Sequence, residues 1–226
     1  KVLVGVGGGE YGIRGFVAAY DTKTGKEVWK FHTIPGPGEP GHDTWDGDDW
    51  KTGGAPAWVT GSYDPALNLV YWGIGNPGPD WNPKQRPGDN LYADCAIALD
   101  ADTGKVLWRY PFVTDFNCNT ASPVAVGDGV LISAGEMHGS TLLALKLRGE
   151  EFEVVETWTS LGGDSALRAE WQTPIVRGGQ IYGFDNLGGA GPITHLTCLD
   201  ATTGKRIWYK ARFGKGNMIA ADGKFW

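Results

Sequence analysis

Short apolar runs with polar residues between them recur along the chain, each broken by glycine. Residues 124–133 turn at Gly127-Asp128-Gly129, and residues 174–183 turn at Gly178-Gly179. Such runs, bounded by turn residues, predict strand pairs, while helical periodicity is weak throughout. Between these pairs lies a second pattern in three copies. An apolar stretch runs into Asp-x-x-Thr-Gly-Lys and continues to a tryptophan: Asp21, Thr24, Gly25, Lys26 and Trp29; Asp100, Thr103, Gly104, Lys105 and Trp108; Asp200, Thr203, Gly204, Lys205 and Trp208. The Asp side chain can hold nearby backbone amides and the Gly supplies a positive φ, so each copy predicts a β-hairpin with a tight turn.

Trp108 and Trp208 are 100 residues apart, and midway between them Trp158 closes a degenerate fourth copy that starts at Ala144-Leu145-Lys146. A period near 50 residues, about four strands per period, predicts propeller blades. The recurring Trp is large enough to fill the space between radial sheets, so residues 29, 108, 158 and 208 are expected to be buried against the next blade. The expected fold is all-β: a propeller with tryptophan docking motifs, holding about four blades of an eight-bladed ring. The domain expected is a partial propeller over residues 1–226, in two parts, 1–110 and 111–226. A half-ring exposes two apolar blade faces, so the rest of a longer chain or a second copy is expected to cover them.

Composition fits this picture, with 36 Gly, 13 Pro and 11 Trp among 226 residues. No run of 18 apolar residues is present, so no membrane span is expected. The net charge is −6 with Lys and Arg scattered, which argues against a nucleic-acid partner. Cys95, Cys118 and Cys198 form no CxxC pair and read as buried small hydrophobes, one disulfide being the alternative. The Asp-rich stretch 42–50 lacks the spacing and closing Glu of a calcium loop, and its interleaved Trp45 and Trp50 predict a packed surface loop.

The candidate chemistry lies in the first 92 residues. The run 5–15 places Glu10 in a glycine-rich turn where backbone can approach a ligand closely, at Gly8 and Gly9 above all. It is followed by another strand and not a helix, so a dinucleotide-binding reading fails its context. Trp29 and Trp108 are separated by 79 residues, so this repeat carries an insertion, and extra residues of that kind usually serve the ligand-binding face. The insertion holds Gly53-Gly54-Ala55-Pro56-Ala57-Trp58, Gly75-Asn76-Pro77 and Arg86-Pro87-Gly88-Asp89-Asn90.

At these residues the chain resembles the quinoprotein alcohol dehydrogenases, eight-bladed propellers that use pyrroloquinoline quinone (PQQ) with Ca²⁺ or a lanthanide. The resemblance covers residues 1–110. It implies that Glu10 and Asn76 ligate the metal and that Trp58 lies flat on the quinone. A hard cation suits carboxylate and amide oxygens, and an indole face suits a flat tricycle. From residue 111 onward the chain is more similar to the broad class of PQQ-like repeat propellers, many of which bind no quinone. The His-Asp-x-Trp-Asp segment that supplies the family's catalytic base is absent, and Asp115 is the carboxylate nearest to its place. The implied function is oxidation of a primary alcohol to an aldehyde, in the periplasm, with electrons passed to an external acceptor such as a cytochrome c. The alternative is a non-catalytic propeller serving as a scaffold or binding module.

Overall fold

A computed structural model describes residues 1–114, 121–149, 151–188 and 193–226. The chain divides into two compact units, Lys1–Val113 and Thr114–Trp226. In the first, β1 (Val2–Gly5), β2 (Phe16–Tyr20) and β3 (Glu27–His32) form a three-stranded antiparallel sheet. β4 (Ser62–Asp64), β5 (Leu69–Gly73), β6 (Cys95–Asp100) and β7 (Val106–Pro111) form a four-stranded one. The second unit holds two four-stranded sheets and a short pair. These are β8 (Val124–Val126) to β11 (Glu151–Leu161) through β9 (Gly129–Ala134) and β10 (Gly139–Arg148), and β12 (Ile175–Arg177) to β15 (Arg206–Lys210) through β13 (Gln180–Leu187) and β14 (Ile193–Asp200). The pair is β16 (Ala220–Ala221) with β17 (Lys224–Phe225). Every sheet is an up-and-down meander of consecutive strands, as a propeller blade requires.

Register makes the four tryptophans equivalent. Ala19 faces Trp29, Ala98 faces Trp108, Leu142 faces Trp158 and Cys198 faces Trp208, and in each pair of strands a bulge follows at the next position. The degenerate copy therefore keeps the geometry although it has lost the turn sequence. In the three intact turns the leading Asp Oδ1 accepts from the Thr backbone N–H and hydroxyl, as in Asp100 with Thr103 at 2.8 and 2.7 Å. These bonds hold the Asp21 and Asp200 carboxyls below the usual range.

Within each unit the Trp of the first sheet docks on the Thr-Gly turn of the following sheet. Trp29 donates its indole N–H to Ala101 O at 3.2 Å, and Trp158 donates to Ala201 O at 3.0 Å. Trp29 and Trp108 are buried and Trp158 is half-buried, whereas Trp208 is 43% exposed, contrary to the expectation for all four. The reason is local: the burial of Trp29 and Trp158 comes from the turn of a following blade, and after β15 ends at Lys210 the described strands are only the two-residue β16 and β17.

The core of the first unit lies between its sheets, with Val17 and Ala19 of β2 facing Val70, Trp72, Ile97 and Leu99 of β5 and β6. In the second unit Leu131, Leu142, Ile181 and Leu199 do the same. That unit also buries an ion pair, Arg168 to Asp185 at 2.7 and 2.9 Å, joined by Arg206 at 2.9 Å. Cys95 and Cys198 are buried free thiols, and burial pushes the Cys95 thiol up to about 11. Cys118 lies outside the described residues. None of the helices among the described residues is long and apolar enough to cross a membrane.

Candidate functional site

Hairpin parity sends three connections of the first unit to one end of its sheets, opposite the Thr-Gly turns: 6–15, 33–61 and 74–94. There they are laced together by backbone. Segment 53–56 runs between the other two: Gly54 N donates to Ile13 O and Gly15 N to Gly54 O, both at 2.9 Å, on one side. On the other, Ala55 N donates to Asn76 O at 3.0 Å, Gly75 N to Pro56 O at 2.9 Å and Gly78 N to Gly53 O at 2.7 Å. Only glycine fits at the crossing. Gly54 has φ +77°, and a Cβ there would lie 2.9 Å from both Gly9 O and Gly78 N.

This lacing brings Glu10 and Asn76, 66 positions apart, into contact. Asn76 Nδ2 donates to Glu10 Oε1 at 2.8 Å, and Asp80 N donates to Glu10 Oε2 at 3.3 Å. Glu10 is exposed, follows the left-handed Gly8 (φ +94°), and borders a cavity of about 160 Å³ lined also by Gly9, Gly12, Thr52, Gly78 and Pro79. A Cβ on Gly9 would meet Pro56 at 3.1 Å and approach Asn76 Oδ1 to 3.8 Å. Trp58 stands beside them, 45% exposed, with its Cβ over Gly7 and its indole nitrogen 3.1 Å from where a Gly75 Cβ would be.

The donor set suits a hard cation. Amide rotation by 180° about χ2 exchanges Asn76 Oδ1 and Nδ2, which turns the Asn76–Glu10 hydrogen bond into two oxygens facing one point. Two side chains are fewer than the six to eight oxygens such a cation takes. No group of three or more His, Cys, Asp or Glu able to hold a metal occurs among the described residues. The stretch 42–50 is a packed loop of two short 3₁₀ turns, with Trp45 buried and donating to Leu91 O and Trp50 under the Arg14 guanidinium at 4.7 Å. Asp115 lies outside the described residues.

Two residues to which the sequence assigned no role border the site. Asp94 sits in the left-handed region (φ +52°), is 91% buried with Oδ1 unpartnered, and donates its N–H to Gly75 O. Burial pushes its carboxyl up to about 7, with Asp80 adding to the rise and Arg86 opposing it. Arg86, in a motif noted only for its resemblance, is equally buried and grips the 79–80 backbone.

Sheets of this kind, meandering and tryptophan-docked, define propeller blades, here with a carboxylate–amide pair at one end. Residues 6–117, just under half of the chain, match the family described as PQQ, glucose/ethanol/alcohol dehydrogenase, β-propeller domain. About half of the chain is 47% identical over 129 residues to a lanthanide-dependent methanol dehydrogenase of Methylorubrum extorquens, and 47% identical over 124 residues to quinohemoprotein alcohol dehydrogenase ADH-IIG of Pseudomonas putida. These matches span 21% and 17% of the relatives' lengths. Among solved structures, a europium-containing methanol dehydrogenase superposes on 98% of the chain with TM-score 0.70 at 24% identity, the chain spanning 54% of it. That likeness extends the propeller fold beyond residue 117.

Proposed function

We propose that this chain carries the metal–quinone site of a PQQ-dependent alcohol dehydrogenase that oxidises a primary alcohol to an aldehyde. The observation that carries the reading is the convergence of Glu10 and Asn76 beside Trp58. Glu10 and Asn76 would hold Ca²⁺ or a lanthanide, and the indole face of Trp58 would pack against the quinone. When bound, PQQ supplies an electrophilic carbonyl that accepts hydride from the alcohol carbon. Gly8 and Gly9 keep the Glu10 turn free of side chains, so the ligand can approach backbone. The alcohol proton needs a base within hydrogen-bond reach, and Asp115 is the proposed one. Electrons pass to an external acceptor such as a cytochrome c. One relative is named as a cytochrome c methanol dehydrogenase subunit. The setting is the periplasm, and remaining blades or a second copy close the ring.

The second reading, a propeller scaffold without quinone, draws on residues 111–226, which the dehydrogenase domain leaves almost entirely unmatched. Reconstitution with PQQ and either Ca²⁺ or La³⁺ separates the two. The dehydrogenase reading expects a metal-dependent quinone absorbance that co-elutes with the protein, followed by dye reduction on adding a primary alcohol. Loss of turnover by a factor on the order of 10² to 10⁴ in Asp115→Asn, with the quinone retained, supports Asp115 as base.

A further inference from the structure

We propose that Arg86 is a positioning residue for Glu10, acting through the peptide that joins Pro79 to Asp80. The inference rests on the reading of Glu10 as a metal ligand.

Both oxygens of Glu10 are held, Oε1 by the Asn76 side chain and Oε2 by the Asp80 backbone N–H. The partner carbonyl of that same peptide unit, Pro79 O, accepts from Arg86 Nε at 3.1 Å. In a trans peptide the C=O and N–H point in opposite directions, so a cation on the carbonyl side aims the N–H at Glu10 and, by polarising the amide, strengthens it as a donor. Arg86 Nη2 also donates to Asp80 O at 3.3 Å, fixing the next peptide.

The guanidinium is itself held from behind. Arg86 Nη1 donates to Asn90 Oδ1 at 3.0 Å, Asn90 Nδ2 donates to Thr44 O at 3.3 Å, and the Leu91 N–H donates to Thr44 Oγ1 at 2.9 Å. The adjoining Trp45 indole, buried, donates to Leu91 O. Arg86, with 9% exposure, thus bridges a rigid buried anchor and the exposed loop that caps Glu10. A planar fork with separate Nε, Nη1 and Nη2 donors serves three acceptors in fixed directions. A lysine ammonium, one nitrogen at the end of a flexible stem, cannot.

The test is a double-mutant cycle on the full chain, read by Tb³⁺ binding through indole-sensitised luminescence in the absence of quinone, with thermal unfolding followed alongside. Outer residues that orient a metal ligand typically change affinity by 10- to 100-fold. Glu10→Gln and Arg86→Lys should each weaken Tb³⁺ binding by about tenfold or more, and Arg86→Lys in the Glu10→Gln background should add less than about twofold. An equal further loss in that background assigns Arg86 a general structural role and overturns the inference alone. Unchanged binding in Glu10→Gln removes the ligand reading, and the inference with it. Should Arg86→Lys fail to fold, Asp80→Pro and Asp80→Ala decide. The first deletes the N–H and should weaken binding, the second keeps the N–H and should not. Equal behaviour of the two contradicts the relay.

Discussion

Gly104 lies beneath the indole of Trp29 so closely that a Cβ at this position would come within 2.5 Å of the ring. Gly204 stands in the same relation to Trp158, at 2.7 Å. In these two copies the glycine is therefore both the residue that lets the turn adopt positive φ and the floor on which the neighbouring blade's tryptophan rests.

These two roles separate by mutation. Gly25, at φ +67°, has nothing within 4 Å of its Cβ position, so Gly25→Ala should cost only the backbone strain, about 1–2 kcal/mol. Gly104→Ala and Gly204→Ala add overpacking of about 1–3 kcal/mol. Thermal or denaturant unfolding should rank Gly25→Ala well above the other two in stability. Equal losses at the three sites would show that the indole contact contributes nothing.

Most of the fold was legible in the sequence because the repeat encodes its own geometry. Asp, Thr and Gly specify the turn by local hydrogen bonds, and Trp marks the strand position before the bulge. Trp208 was misjudged because its burial depends on the turn of a following blade, a non-local term that its own sequence does not carry. The pairing of Glu10 with Asn76 was readable from motif resemblance alone, since 66 residues separate them and no periodicity links them. Asp94, and the anchoring role of Arg86, escaped for a different reason. Their roles depend on burial and on how the 74–94 connection folds back on its own backbone, which residue type does not reveal.

Asp94 gives a pH prediction for the metal-free chain. Its folded carboxyl titrates near 7, against about 3.9 in an unfolded chain. Between those values the folded state binds more protons, so this group makes stability fall as pH rises from about 4 to about 7, and the loss persists above. Asp94→Asn should be more stable than the parent at pH 8, by at most about 4 kcal/mol, and the gain should vanish below pH about 4. Parallel stability–pH curves for the two proteins would contradict the assignment.

In the second unit, the Arg168–Asp185–Arg206 cluster supplies a stability test. Asp185 and Arg168 side chains are 1% and 3% exposed, so Asp185→Ala strands a buried guanidinium and should cost about 3–5 kcal/mol. Arg148 and Glu153 form an exposed pair at 3.0 Å, and Glu153→Ala should change stability by less than about 1 kcal/mol. Chemical denaturation of both variants checks the contrast, and comparable losses would argue that burial of the first pair does not govern its energetics.

The most direct test of the central claim is calorimetric titration of PQQ into the full chain with and without Ca²⁺ or La³⁺, repeated with Glu10→Gln. Metal-dependent quinone binding in the parent, weakened at least tenfold in Glu10→Gln at an unchanged unfolding midpoint, is the predicted result. Quinone binding that ignores the metal, or is the same in both proteins, would contradict a metal–quinone site built on Glu10 and Asn76.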